Sequence, residues 1–522
     1  MIQLLHKAGM LIDELAKGSS TPAELARMLD EPRSSIYRIV ASLEDAEYIR
    51  QADEGHLELG AAVLRLGDAA ASALINRPAL VKQLQWIRDQ LALSAFFCVL
   101  RANRVVCLDR VDGSDVDLPY MMPGKQLPLH AGATSRVLLA HGPPEIWEAI
   151  MTQKKFNKET PKNPTSPRAL EARLQKTLSQ GWSFDSGELA EGVATVAVPV
   201  TTPSGELVGA VAVSGLQDHV LTQKITAHEV LKSAAPSIAE LHASNTTYIP
   251  NNSDNVNFRK KPSSVIAKAA ALMKVLETEK IATSTRIAKL LDEPLSSVYR
   301  MLSTLTAMGW VEQNGSRGPY RVGLTMLSLS EERIRRVDIR QVAAPVMSQI
   351  HEALGETTFL CVRQGLRAVC TERIDGIRVN SRVLQVGKSL PLHVGAAPRA
   401  LLAFADRSSW EKYATAAENT TDRLSGGLSR AELYRELEEE RQQGYVLVIN
   451  EVTPGIAAVG APIYNHRGEV VASLSVSGLQ EGIVNFRTDE VSATELVQHG
   501  ARAISINLGA PSEEKPSALD EA

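Results

Sequence analysis

Two short segments carry side chains suited to gripping a polyanion. Arg33, Ser34, Ser35, Tyr37 and Arg38 lie within six residues, and Ser296, Ser297, Tyr299, Arg300 and Ser303 occupy a matching stretch further along. Hydroxyls can bond phosphate oxygens or base edges, and a guanidinium pairs with phosphate or, in bidentate fashion, with guanine. Ile36, Ile39, Val40 and Leu43 recur at i, i+3, i+4 and i+7, which predicts a helix with an inward apolar stripe. Arg33, Ser34, Tyr37, Arg38 and Ser42 are then left facing outward. The competing reading is an ordinary capped helix whose arginine pairs with a nearby acid.

Other reactive side chains point to less. His130 and His393 each close an LPLH turn with no acid or second histidine at ligand spacing, which favours a hydrogen-bonded structural role. Cys98 and Cys107 fall on the two arms of one expected hairpin, as do Cys361 and Cys370. They read either as small buried hydrophobes or as opposed thiols able to act as a redox pair. The chain holds no GxSxG, HExxH or CxxC, and no glycine-rich phosphate loop followed by lysine. Neither an enzyme nor a bound metal or cofactor is expected.

The elements that must position these residues come in two copies. Leu29 to Arg38 (LDEPRSSIYR) returns as Leu291 to Arg300 (LDEPLSSVYR), 262 residues on. Val213 to Gln217 (VSGLQ) returns as Val476 to Gln480, now 263 residues on, after one insertion between Glu312 and Val322. A solenoid unit spans only ~20–50 residues, so this period marks a duplicated protein. Each copy opens with three helical patterns, near 2–17, 21–29 and 33–46, then near 263–278, 283–291 and 295–308. Thr21 and Glu24 have capping-box spacing with Pro22 at the first helical position, and Pro32 disfavours helix for Glu31. Ser34 or Ser35 is expected to cap the third helix. Hairpins from Tyr48 to Leu59 and from Trp310 to Val322 complete a winged helix-turn-helix in each copy.

The expected domains are a winged helix at 1–60, a connector helix at 61–76 and a mixed domain at 77–243. A polar, Asn-rich linker covers 244–262. The second copy repeats the plan as a winged helix at 263–323, a connector at 324–338 and a mixed domain at 339–510, with a disordered tail at 511–522. Within 77–243 the pattern reads as a helix (78–92), a hairpin, the LPLHAGATS loop, a helix running into 147 and a helix at 167–180. Two closing strands and a last helix (226–242) complete it. The fold class is α+β, of a sensor type.

Hydrophobic residues at 44% and charged residues at 22% fit a soluble globular chain. No apolar run approaches the ~18 residues of a membrane helix, so no membrane partner is expected and the cytoplasm is the default compartment. Net charge is −4, which gives no global polybasic signal. Locally the copies differ in sign. Residues 1–60 carry six Lys/Arg against eleven acids, whereas residues 259–325 carry eleven against five.

The order of winged helix, connector, KQLPLHAGATSRVLLA and EGVATVAVPVTTPSGELVGAVAVSGL resembles the IclR family of bacterial transcription regulators, over nearly the whole chain and twice. The resemblance implies that the winged helices bind double-stranded operator DNA. It also implies that the mixed domains are GAF-like and bind a small organic effector, often an acid or aromatic catabolite. It assigns the pocket to Gly132, Ala133, Asp185, Thr195 and Ser214 in the first copy, and to Gly395, Ala396, Ala458, Ser475 and Ser477 in the second. Asp185 matches Val448, and Ser475 matches Ala212, so the pockets are expected to prefer different molecules. Family members work as dimers or tetramers, and this chain is expected to form a homodimer or an intramolecular pseudo-dimer. The second winged helix is expected to be the stronger reader, being basic and having Gly309 where the first copy has Glu47 at a helix end. The rival reading is a metabolite-sensing module that acts through protein partners without touching DNA.

Overall fold

The structure is a computed structural model describing residues 2–52, 55–101, 103–113, 118–153, 155–246, 264–315, 318–378, 383–418, 429–488 and 491–510. The Asp53-Glu54 turn, Arg317, most of the linker and the C-terminal tail lie outside these residues. The chain divides into two compact units, residues 1–334 and 335–522.

The first unit opens with α1 (Gln3–Lys17), α2 (Pro22–Met28) and α3 (Arg33–Asp45), followed by the hairpin β1 (Ile49–Gln51) and β2 (Leu57–Leu59). The expected capping box at Thr21 and Glu24 is present. The expected serine cap on α3 is not: Pro32 occupies the N-cap with no side-chain bond, so the Ser34 and Ser35 hydroxyls are not committed to capping. The turn before α3 relies on Asp30 at φ 51°, and its counterpart Asp292 has the same value. A short polar side chain tolerates that left-handed conformation better than most.

After the connector α4 (Ala61–Ser72) comes α5 (Arg77–Leu91), capped by Asn76. The connector ends four residues short of expectation because the chain must turn into that cap. The mixed domain continues with β3 (Ser94–Arg101), β4 (Arg104–Val111), a 3-10 turn at Pro119–Met121 and β5 (Gln126–Leu127). Then come α6 (Ala133–His141), α7 (Pro144–Met151), α8 (Pro167–Gln180), β6 (Ser183–Ser186), β7 (Val193–Thr201), β8 (Leu207–Leu216), α9 (Gln217–Thr222) and α10 (Lys224–Thr246). The six strands form an antiparallel sheet in the order β5-β4-β3-β8-β7-β6. Val196, Val211 and Val213 join a core with α5 and α10, while Phe96, Cys98, Ala197 and Ala212 pack with α6. The expected single helix into 147 is two, because Gly142-Pro143 breaks it between α6 and α7. Strand β6 was not anticipated, since SFDS lacks an apolar alternation.

The second winged helix belongs to this same unit. It comprises α11 (Val265–Glu279), β9 (Ile281–Ala282), α12 (Ser284–Leu291), α13 (Leu295–Ala307), β10 (Val311–Gln313) and β11 (Tyr320–Val322), leading into connector α14 (Thr325–Arg336). It packs on the first through equivalent surfaces: α1 lies against α11, and the two hydrophobic cores are continuous. Tyr48 stacks on its own counterpart Trp310, with ring centroids 5.7 Å apart and planes 9° from parallel. Gly67 of α4 meets its counterpart Ser330 of α14 so closely that an added Cβ would lie 2.3 Å from the Ser330 Cβ. Equivalent residues touch each other on a two-fold axis, so the two winged helices pack about a local pseudo-two-fold. Two bonds reinforce it: Ile2 N donates to Thr304 Oγ1 at 2.9 Å, and Arg333 donates to the Leu59 carbonyl.

The second unit is a sheet-and-helix domain built on the same plan. Its elements are α15 (Ile339–Leu354), β12 (Thr357–Gln364), β13 (Arg367–Ile374), β14 (Ser389–Pro391), α16 (Ala396–Ala403), α17 (Arg407–Glu418), α18 (Arg430–Gln443), β15 (Val446–Ile449), β16 (Ile456–Tyr464), β17 (Val470–Leu479), α19 (Gln480–Val484), β18 (Arg487–Thr488), β19 (Val491–Ser492) and α20 (Ala493–Asn507). The main sheet runs β14-β13-β12-β17-β16-β15, strand for strand as in the first copy.

Glu47 sits at φ 60° where Gly309 sits at φ 72°, so the fold imposes the left-handed helix end on a residue that resists it. That conformation costs a side chain roughly 1–2 kcal/mol. The Glu47–Arg65 pair at 2.7 Å is partly exposed and returns less than about 1 kcal/mol. Glu47→Gly should therefore stabilise the first winged helix by about 1 kcal/mol. Amide hydrogen exchange over residues 1–60 should slow several-fold, and unchanged or faster exchange would refute the strain.

Candidate nucleic-acid interface and effector pockets

On α3, Ile36, Ile39, Val40 and Leu43 are buried as the periodicity required. Arg33, Ser34, Tyr37 and Arg38 are exposed, with Tyr37 at 56%, and Ser35 is half-buried. On α13, Val298, Met301, Leu302 and Leu305 point inward. Ser296, Tyr299, Arg300 and Ser303 are exposed there, and Ser297 is half-buried. All ten expected contact residues thus lie on the two recognition helices, most of them fully on the outer face. Tyr299 is held by a hydrogen bond from Ser284 Oγ to its hydroxyl at 3.1 Å. The first copy has Pro22 in place of Ser284, so this bond has no equivalent at Tyr37.

The five residues expected in the first pocket come together. Register aligns Ser94, Ser214, Thr195 and Asp185 in one row across β3, β8, β7 and β6. Ser214 and Thr195 hydroxyls are 3.1 Å apart, and Tyr120 reaches over to Ser214. Facing this row is the N-terminus of α6, where Gly132 turns the chain at φ 88°. Its free amides are already met by carboxylates: Ala133 N donates to Asp185 Oδ2 at 2.7 Å, and Gly132 N to Glu188 Oε2 at 3.0 Å. Buried Arg136 neutralises Glu188 and also donates to Ser183 Oγ at 3.0 Å, while Arg173 approaches Glu188 at 2.6 Å. Burial pushes the Asp185 carboxyl up to about 6; Arg136 opposes that shift and Glu188 adds to it.

The second pocket keeps the frame and loses half the polar row. Thr357, Ser477, Ala458 and Val448 take the four positions. Gly395, at φ 81°, donates its N–H to Glu451 Oε1 at 2.9 Å, but among the described residues no carboxylate bonds the Ala396 amide, and Val448 replaces Asp185. Ser475, buried on β17, adds a hydroxyl where the first copy has Ala212. Arg399 collects Glu436 at 3.1 Å, Glu451 at 3.3 Å and Glu440. Burial pushes Glu440 up to about 7, with Arg399 opposing and Glu436 and Glu451 adding to the rise. Sequence reasoning missed Glu188, Arg136, Tyr120 and their partners. The shared Arg136/Arg399 and Glu188/Glu451 positions in the two copies were the available signal.

The first sensor is tied to both connectors. Buried Arg77 joins Asp109 of β4, Asp68 of α4 (2.7 Å) and Glu331 of α14 (3.7 Å). Burial works against the Arg77 charge, but Asp109, Asp68 and Glu331 outweigh it and keep it ionised. Asp68 and Glu331 are equivalent positions, so one guanidinium gathers the two connectors at the same level. Lys125, five residues from Tyr120, bonds Glu332 at 2.8 Å. Elsewhere, His130 bonds the Asn157 carbonyl and stacks on Phe156, and His393 bonds the Tyr413 hydroxyl at 2.6 Å. Cys98 pairs directly with Cys107, and Cys361 with Cys370, all as buried free thiols. Among the described residues, no helix is long and apolar enough to cross a membrane.

Paired winged helices followed by sheet-and-helix domains have the architecture of a DNA-binding transcription regulator. The chain belongs to the IclR family. The IclR helix-turn-helix domain matches residues 5–53 and 265–315, and the bacterial transcriptional regulator IclR C-terminal domain matches 73–240 and 331–506. The HTH-type transcriptional regulator KipR of Bacillus subtilis (strain 168) is 31% identical over 244 residues, covering 47% of this chain and 96% of the relative. XynR of Escherichia coli (strain K12) is 30% identical over 232 residues, covering 44% and 89%. Among solved structures, Pseudomonas aeruginosa HmgR is 26% identical with a TM-score of 0.39, covering 47% of this chain and 98% of that one. Nearly a whole curated relative therefore aligns with about half of this protein. The chain is a DNA-binding transcription regulator in which the family unit occurs twice in tandem.

Asp185 also generates a pH dependence. Its folded value, about 6, lies above the ordinary 3.8, so its burial costs nothing while both states are protonated. The cost grows as pH rises from about 4 and is complete above about 6, reaching roughly 2–3 kcal/mol. Asp185→Asn keeps an acceptor for Ala133 N and removes the charge. Thermal unfolding from pH 4.5 to 7.5 should show wild type losing stability relative to the variant as pH rises, whereas parallel curves would refute a raised Asp185.

Proposed function

We propose that a single chain supplies both halves of an operator reader and regulates it through two sensors of unlike preference. The observation that carries this is the meeting of Tyr48 with Trp310 and of Gly67 with Ser330, which pairs α3 and α13 about a pseudo-two-fold axis. Two-fold pairing suits two half-sites in inverted orientation. The second winged helix is the stronger reader. Its surroundings are basic, whereas residues 1–60 are acidic, and phosphate neutralisation supplies much of the affinity for DNA.

The effectors are small organic molecules, acidic or aromatic. In the second pocket the Ala396 amide faces Val448 rather than a carboxylate, which favours a carboxylate ligand at that helix end. In the first pocket Asp185 already fills this place, which favours a ligand offering hydroxyl or N–H donors. A ligand seated against Tyr120 and Ser214 would press on the loop whose Lys125 holds α14, and so on the spacing of the two readers. Its effect is limited by its differential affinity for the two spacings. The protein meets chromosomal DNA in the cytoplasm.

Fluorescence anisotropy on DNA upstream of the coding region, across a salt series, tests this reading. Arg300→Ala should cost roughly 1–3 kcal/mol of operator binding, and Arg38→Ala less. Absence of salt-sensitive binding by wild type would shift the reading to a sensor that works through protein partners.

A further inference from the structure

The two recognition helices are paired as equivalents, yet they are not the same helix. Four contact positions agree, with Ser34, Ser35, Tyr37 and Arg38 matching Ser296, Ser297, Tyr299 and Arg300, while Ser303 stands where the first copy has Ala41. They differ at the first helical position, which is Arg33 in one and Leu295 in the other. Neither side chain is used by the fold. Arg33 is exposed and makes no ion pair among the described residues, and Leu295 is 39% exposed at a place where an apolar side chain gains nothing from water.

In a helix-turn-helix the N-terminal residues of the recognition helix are the ones that reach base edges. There the two side chains ask for different bases. A guanidinium pairs bidentately with the O6 and N7 of guanine, while a leucine offers no donor and makes apolar contact with the C5-methyl of thymine. We propose that the chain reads a non-palindromic operator in one fixed orientation, with Arg33 selecting guanine in one half-site and Leu295 selecting thymine at the matching position of the other. This rests on the reading that both winged helices enter the major groove. A symmetric homodimer cannot make this distinction, because its two recognition helices are identical. A chain that carries both helices covalently makes it at every binding event.

The test is in vitro selection from random duplex DNA with the full-length chain, run in parallel for wild type, Arg33→Leu and Leu295→Arg. Wild type should enrich an inverted repeat whose matching flank positions carry guanine on one side and thymine on the other. Arg33→Leu should enrich thymine at both positions and Leu295→Arg guanine at both, each losing roughly tenfold or more on the wild-type operator. A perfectly palindromic wild-type consensus would overturn the proposal. So would an Arg33→Leu variant that weakens every sequence equally, since Arg33 would then be a phosphate contact. Enrichment of a single half-site, or of none, would instead overturn the underlying reading of two groove-entering helices.

Discussion

Everything the molecule offers to DNA depends on one packing arrangement, the apolar seam between α1 and α11 closed by Tyr48 on Trp310. Aromatic pairs of this kind contribute about 0.5–1.5 kcal/mol beyond their area burial, and a flat stack on a pseudo-axis also fixes orientation. With the seam in place, α3 and α13 are held at a set separation, and α4 and α14 cross where Gly67 admits Ser330. Any side chain at 67 would push the connectors apart. The recognition helices are therefore positioned by contacts far from their own exposed faces.

The sensors show the same frame serving opposite electrostatic ends. A helix N-terminus carries partial positive charge and unmet amides. In the first copy Asp185 and Glu188 meet those amides from within the protein, and Arg136 and Arg173 balance them. In the second copy, among the described residues, Val448 leaves one amide without a carboxylate, while Glu436 and Glu440 replace the counterparts Arg173 and Thr177 around Arg399. One duplication thus produced one pocket close to internally neutral and another rich in carboxylates behind an open helix end.

Much of this was legible in the sequence for a physical reason. The apolar period of α3 and the Thr21–Glu24 cap are local signals, and local signals survive without tertiary context. The family pattern pointed to Gly132, Asp185, Thr195 and Ser214, and cross-strand register explains why the last three, so scattered in sequence, form one row facing Gly132. What the sequence could not show depends on distant partners. The helix break at Gly142-Pro143 is the exception, a local signal that lies in the sequence itself. Pro32 displaced the expected serine cap, because a proline before the first helical residue already sets the entry angle. Strand β6 has almost no propensity of its own and exists because β7 offers an edge. Tyr48 and Trp310 read as ordinary hairpin residues, and their meeting appears only when the two copies are folded together.

The covalent tie between the two winged helices changes how regulation scales with abundance. A regulator assembled from separate subunits must first find its twin, so its active fraction falls steeply when molecules are few. In a chain that carries both winged helices the second is present wherever the first is, so their pairing does not fall off as molecules become few. The same tie frees each half from having to match itself. A substitution in one reader is no longer imposed on the other, and the two can drift toward separate tasks while remaining partners.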